Sequence, residues 1–347
     1  NKEIKDTFGK KCMAFQYDDH LDVVMKKAFH SSMANQRKEW LRKYDRNVMV
    51  ENPTFSQYID RELIKFSISD CDRSIPNVFD GLKQSQRKIL YACLKRKLFT
   101  KSMKVAQLAG YVAEVTNYHH GEQCLFETIT KMAQDFPGSN NIPLLFKDGQ
   151  FGTRNNGGKD AANARYIFTK LTKIVKSIFP EEDYPLLDYV VDDGEKVEPE
   201  YFVPIIPMIL VNGCAAGIAT GWSCSVPSYC PQDVIGCVRD WIHKKDIRSM
   251  VPWYNHFTGK IEEYEPRKYK TYGEIKRKTK HNVQITELPI LLWTDKFKEY
   301  TEDLLENKNI REIKNYSTPT KVHFVIKENE HMECNLNTLK LSTILTE

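Results

Sequence analysis

The sequence predicts an α+β protein of more than one domain, a winged helix-turn-helix followed by a second, α/β domain. Amphipathic helical patterns recur between residues 54 and 136, at the spacing that lays apolar side chains on one face. Two hairpin dipeptides, Asp148-Gly149 and Asn156-Gly157, follow between apolar runs. From about residue 195 the texture changes to proline-punctuated, β-branched and alternating segments.

In chain order, CMAFQY reads as a strand-like piece, LDVVMKKAFHSSM as a helix and QRKEWLRKYDRN as a charged linker. NPTFSQYIDRELIKFSISD is a marked helix. Thr54 and Gln57 have capping-box spacing, and Phe55, Tyr58, Ile59, Leu63 and Phe66 form one apolar stripe. A second helix runs from about Ser85 to Leu94. Ile89, Leu90, Cys93 and Leu94 face its core, with Arg87 and Lys88 near its first turn. KVAQLAGYVAEV is the third, and TNYHHGE connects it to a fourth that carries Leu125, Ile129, Met132 and Phe136 on one side. Two short helices joined by a glycine-containing turn make a helix-turn-helix, and a hairpin after them makes the wing of a DNA-binding architecture. Farther on, FTGKIEEYE, NVQITELPILLWT and KVHFVIKE alternate like strands of the second domain.

Composition excludes several classes. No apolar run approaches the roughly 18 to 20 residues of a membrane span, and NKEIKDTFGKKC lacks the apolar centre of a signal peptide. The nine scattered cysteines contain no CxxC, so neither a zinc site nor a disulfide framework is indicated and a reducing compartment is expected. Net charge is +5, but residues 81–105 hold eight Lys and Arg and no acid. Such a run is either a solvated face or the footprint of a polyanion partner, nucleic acid above all. Asp70 and Asp72 mimic a paired-carboxylate metal site, yet beside Arg73 at a helix end they read as a capping or ion-pair cluster.

The stretch GGKDAANARYIFTKL delivers an Arg-Tyr pair through two glycines and a run of small residues. A phenol, with a pKa of about 10, is a poor nucleophile at neutral pH. Phenolate is nevertheless a better leaving group than an alkoxide, so a tyrosyl phosphodiester is readily reversed by a DNA hydroxyl. Attack needs positive charge at the phosphate, and the planar fork of Arg165 suits its oxygens. On a regular strand Arg165 and Tyr166 would point to opposite faces, so joint action requires irregular backbone. The bland alternative is a structural tyrosine anchoring a strand. His119 and His120 precede Gly121 at the expected N-terminus of the fourth helix, where exposed amides attract phosphate, although paired histidines read alone are more often solvated or structural.

Taken in order, RSIPNVFDGLKQSQRKIL, KVAQLAGYVAEV, YHHGE, GQFGTR, GGKDAANARYIFT, VEPEYFVPIIPMILVNG, GIATGWS and ITELP closely resemble the DNA-cleavage core of type IIA DNA topoisomerases of the eukaryotic kind. The resemblance implies that Tyr166 attacks a DNA phosphate and becomes linked to the 5′ end, assisted by Arg165. It implies backbone-binding roles for Lys83, Arg87 and Lys88. Tyr118, His119, His120 and Cys124 would lie beside the cleaved strand, and Lys298 would meet the bent DNA arm. Ile218 would be the apolar wedge that bends the duplex. By the same resemblance, residues 1–50 are the end of a Toprim domain and a linker, 51–190 the winged-helix domain and 191–347 the tower domain. The partner implied is double-stranded DNA bound by a homodimer, with no membrane. Mg²⁺ would be held by the Toprim carboxylates, whose EGDS-type and DxDxD signatures do not occur here, and ATP by a separate ATPase region. The isolated chain is therefore expected to bind DNA but cleave it poorly. Location would be nuclear for a eukaryotic protein, or host-cytoplasmic viral factories for a large DNA virus. The rival readings are a non-catalytic winged-helix DNA-binding module, which forms no adduct, and a tyrosine recombinase, which forms a metal-independent 3′ link.

Overall fold

Thr54 and Gln57 cap a helix as their spacing requires. Gln57 N donates to Thr54 Oγ1 at 3.3 Å, and Thr54 N to Gln57 Oε1 at 3.0 Å. The computed structural model describes residues 15–45, 53–330 and 332–347. These pack as two units: the described residues up to Ile75 with Ala216–Cys224, and Pro76–Ala215 with Ser225–Glu347. These packing units differ from a division at 50/51 and 190/191.

The first unit contains α1 (Leu21–Phe29), α2 (Ala34–Arg42), α3 (Phe55–Tyr58) and α4 (Ile64–Ser74). Val24, Ala28 and Ile59 form its core, with Leu21, Trp40 and Leu63 against them. The expected charged linker is largely helix α2. Its Arg37 turns back onto the end of α1 and donates to the carbonyls of Lys27, Ala28 and His30, satisfying acceptors that a helix end leaves open. A π-helical turn, Ile59–Leu63, separates α3 from α4. Its extra residue rotates the following turns, so the anticipated stripe splits: Ile59 is buried while Phe66 is 63% exposed. Of CMAFQY, residues 12–14 lie outside the described residues, and Gln16 makes only an isolated bridge to Thr54.

The second unit opens with α5 (Gln84–Lys95), β1 (Met103–Lys104), α6 (Val105–Thr116), α7 (Glu122–Ala133), β2 (Leu145–Asp148) and β3 (Phe168–Leu171). Ile89, Leu90 and Cys93 are buried in its core as their spacing predicts, with Leu108, Val112, Leu125 and Ile129. Asn117, left-handed at φ 47°, ends α6, and α7 starts after Gly121. Phe136 lies beyond the end of α7 rather than on it. The wing is antiparallel in the order β1-β3-β2, with Lys104 opposite Phe168 and Leu145 opposite Leu171. Neither hairpin dipeptide makes a two-residue turn: residues 149–167 form one long loop between β2 and β3.

Farther on come α8 (Val175–Ile178), the hairpin β4 (Tyr189–Asp192) and β5 (Glu195–Pro199), and α9 (Met208–Asn212), which takes the end of the apolar run YFVPIIPMILVNG. Strands β6 (Cys214–Ala219) and β7 (Trp222–Val226) pair as a hairpin, and α10 (Pro231–Ile242) follows. Strands β8 (Lys260–Glu265), β9 (Lys268–Tyr272), β10 (Glu274–Thr279), β11 (Asn282–Glu287), β12 (Ile310–Asn315), β13 (Phe324–Glu328) and β14 (Ser342–Thr346) make two sheets, β14-β9-β8 and β10-β11-β13-β12. Helix α11 (Thr294–Glu306) lays Phe297 on the second sheet, edge to face with Phe324 at 5.0 Å.

Candidate covalent site and nucleic-acid interface

Four residues turn the backbone at 163–166. Asn163 Oδ1 accepts from Arg165 N at 3.1 Å, and Asn163 O accepts from Tyr166 N at 2.9 Å. Ala164 and Ile167, on either side of the Arg-Tyr pair, are buried. Their carbonyls accept from Ala106 N and Val105 N, amides that the start of α6 would otherwise leave open. With its flanks fixed, the turn pushes both intervening side chains outward. Tyr166 is 76% exposed and Arg165 is exposed too. The irregular backbone that joint action demands is present, and the hydroxyl is not sealed in an apolar interior.

Other phenols contrast with it. Tyr184 donates to Phe179 O at 3.3 Å, and burial, with nearby acids led by Glu181, pushes it up to about 12. Burial likewise pushes Tyr254 up to about 12. Those are structural tyrosines.

The approach to the turn is tightly held rather than loose. The Asp160 carboxylate accepts from Thr153 N at 2.8 Å and Thr153 Oγ1 at 2.6 Å. Gln134 Nε2 donates to the carbonyls of Phe151 and Gly158. Gly158 has φ 77°, and a Cβ there would stand 2.2 Å from Gln134 Nε2, so this glycine serves close packing. Arg154, in the same loop, is buried against Glu287 at 2.5 Å.

His119 and His120 leave α6 at its other end, about 18 Å along twelve residues from the amides that hold the tyrosine turn. Both are exposed. His119 Nε2 lies 3.4 Å from Asp192 Oδ2, and the His120 ring meets Tyr118 edge to face at 5.3 Å. Cys124 is exposed in the first turn of α7. Lys83 is half-buried at the start of α5, where its amide donates to Gln86 Oε1.

Arg87 and Lys88 require a correction. Both are buried, and both cations are engaged inside the protein. Arg87 Nε lies 2.6 Å from Asp80 Oδ2 and its fork also reaches Asp80 Oδ1 and Leu82 O. Lys88 Nζ lies 2.9 Å from Glu198 and 2.6 Å from Thr116 O. A phosphate could reach either only by displacing a buried carboxylate, so neither is an exposed backbone clamp here. Ile218 is 74% exposed on the hairpin of the first unit, so its side chain is free to meet a partner. Lys298 is exposed on α11, 3.6 Å from Glu302.

Asp70 does what a capping cluster does. It accepts from Thr220 N and Oγ1, Arg73 and Ser74. Burial, which acts to raise it, is outweighed by those hydrogen bonds, and its carboxyl is held below the ordinary value. Among the described residues no group of three His, Cys, Asp or Glu is suited to a metal ion. Lys104 is one of the eight cations of residues 81–105. It is exposed at the start of α6, opposite Phe168 in the wing and two residues along from the tyrosine turn. It is the lysine that opens KVAQLAG.

Fold and site together define a winged-helix protein that holds an arginine-tyrosine pair out to solvent. Residues 73–346 match the family of the A-type subunits of DNA gyrase and topoisomerase IV, and residues 1–71 match the C-terminal associated domain of TOPRIM. The chain is 43% identical to DNA topoisomerase 2 of Invertebrate iridescent virus 6, across 99% of this chain and 31% of that protein. It is 49% identical to DNA topoisomerase 2 of Saccharomyces cerevisiae, across 81% of this chain and 20% of that protein. A crystal structure of the Plasmodium falciparum topoisomerase II DNA-binding, cleavage and re-ligation domain matches with a TM-score of 0.88 at 41% identity, covering 99% of this chain and 49% of that one. The chain belongs to the type II DNA topoisomerases. It spans between a fifth and a third of the length of these two curated relatives. Among the described residues no helix is long and apolar enough to cross a membrane.

Proposed function

We propose that this chain is the DNA-binding and cleavage part of an ATP-dependent type II topoisomerase that works on double-stranded DNA as a homodimer. One observation carries the reading: a solvent-exposed tyrosine and arginine stand side by side on a turn clamped to the first amides of α6. In this reading the Tyr166 phenol loses its proton and its oxygen bonds to a DNA phosphorus. The bond to the 3′ oxygen breaks, that oxygen takes up a proton, and a 5′-phosphotyrosyl link remains. Reversal reseals the strand. Arg165 donates to the phosphate oxygens as charge builds, and being permanently protonated it cannot be the base. Lys83, Tyr118, His119, His120 and Cys124 line the duplex, Lys298 meets its arm, and Ile218 wedges its base pairs apart.

Mg²⁺, when bound, would neutralise charge at the phosphate. The described residues do not make a site for it, and the roles assigned above rest on this chain's own groups. We assign its ligands, and those of ATP, to parts of the relatives outside the matched span. Location follows origin: the nucleus for a cellular protein, cytoplasmic factories for a viral one.

The test is to stop the reaction of the full-length polypeptide on DNA with denaturant and map the adduct by mass. Tyr166 should carry a 5′-linked nucleotide, and Tyr166→Phe should carry none. A 3′-linked, metal-independent adduct, or an adduct on another residue, would overturn the reading. DNA binding without any adduct would leave only a winged-helix binding module.

A further inference from the structure

We infer that the outer face of the wing is a stacking platform for an unpaired DNA strand. Such a role lies beyond the covalent chemistry and does not need it. In an antiparallel ladder, residues directly opposite share a face. The register therefore puts Lys104, Phe168 and Asp148 on one face of the wing, with Lys170 and Phe146 in the next row of that face. The opposite face is already filled by buried Leu145, Thr169 and Leu171. The phenyl rings of the outer face are thus not needed to complete the core, and Phe146 is left 46% exposed.

Each ring has an ammonium over it. Lys104 Nζ lies 5.9 Å from the Phe168 centroid and Lys170 Nζ 5.4 Å from that of Phe146. Just beyond the strand, Lys176 Nζ lies 4.6 Å from the centroid of Phe99. Backbone bonds tie these pieces together, since Leu171 N donates to Leu98 O and Lys170 Nζ to Thr100 O. Lys101 and Lys173 are exposed in the same two segments.

Such a surface matches a polyanion that also offers flat faces. A duplex keeps its base faces stacked inside and shows only backbone and edges, so it would use the lysines and leave the rings idle. An unpaired strand uses both. Phe168 and Phe146 are diagonal neighbours, a separation of about 7 Å, within reach of neighbouring bases of an extended, unstacked strand. On binding, a base takes each ring and the displaced ammonium moves to the adjoining phosphate.

The experiment uses the chain with Tyr166→Phe, so that no adduct contributes. Anisotropy of a labelled oligo-dT and of a duplex of equal length is measured at low and at near-physiological salt. Phe146→Leu and Phe168→Leu together should weaken oligo-dT binding about fivefold or more per ring and leave duplex binding within about twofold. Lys104→Gln with Lys170→Gln should weaken both ligands and flatten the salt dependence. Phe146→Leu alone, at the more exposed ring, repeats the test without threat to folding, checked by an unchanged melting temperature. Photo-crosslinking of bromouracil-substituted oligonucleotide should label the peptides containing Phe146 or Phe168. Unchanged oligo-dT affinity after ring removal, an equal loss for duplex, or crosslinks only elsewhere would overturn the proposal.

Discussion

Two basic segments of the second unit look alike on paper and end differently. Arg165 sits beside Tyr166 on a turn and has no carboxylate partner among the described residues, so its charge faces solvent. Arg87 and Lys88, on the first turns of α5, are buried against Asp80 and Glu198. The difference lies in the partners. Asp80 is seven residues from Arg87, but Glu198 is 110 residues from Lys88 and arrives only when β5 packs beside α5. A cation is withdrawn from a ligand where the fold buries it against a carboxylate, whereas an exposed pair such as Lys298–Glu302 leaves it reachable, and local charge pattern does not report which of these occurs.

The sharpest way to break this comparison is Lys88→Ala set against Arg165→Ala. Removing Lys88 strands the Glu198 carboxylate in a nearly closed site, and breaking a buried pair costs about 3–5 kcal/mol. Removing Arg165 should change unfolding free energy by no more than about 0.5 kcal/mol. Chemical denaturation of both variants measures this. Equal stabilities, with DNA affinity lost only in Lys88→Ala, would mean that Lys88 is after all a backbone contact and that the comparison is mistaken.

A smaller effect is expected from Gly158→Ala in the loop that leads to Tyr166. The new Cβ would press into the Gln134 amide at 2.2 Å and sit at φ 77°. Overpacking and the left-handed backbone together should cost about 2 kcal/mol or more. If the loop were merely a supple tether, the melting temperature would not move.

These contrasts bear on what the sequence could tell. Helix positions, the Thr54–Gln57 cap and the helix-turn-helix were legible because they rest on neighbours a few residues apart. The Arg-Tyr pair was legible because glycines and small residues beside a lone phenol and guanidinium point away from ordinary core packing. Long-range partners were not legible. Nothing near QRKEWLR signals that Arg37 will cap the preceding helix, and nothing near GGKD signals that Gln134 will receive Gly158. The same blindness hid the fates of Arg87 and Lys88.

The smallest effect sought concerns the hairpin that carries Ile218, the other exposed group whose setting depends on a concealed anchor. Asp70 accepts from both the amide and hydroxyl of Thr220, which lies in the hairpin turn just after the strand that carries Ile218. Burial acts to raise the Asp70 carboxyl, but those bonds, with Arg73 and Ser74, win and hold it below its ordinary value. The folded state therefore binds that proton less readily than the unfolded chain, whose carboxyl titrates near about 3.9. The stabilisation is complete above that value and is lost as pH falls through the lower folded one. Protection of the Thr220 amide from hydrogen exchange, corrected for intrinsic rates, should accordingly fall on acidification from about pH 6 to below about pH 3.9. Asp70→Asn, which cannot ionise, should begin with weaker protection and respond less to acid. Matching pH profiles for the two proteins would show that the anchor does not hold the hairpin, and exposure of Ile218 would then need another cause.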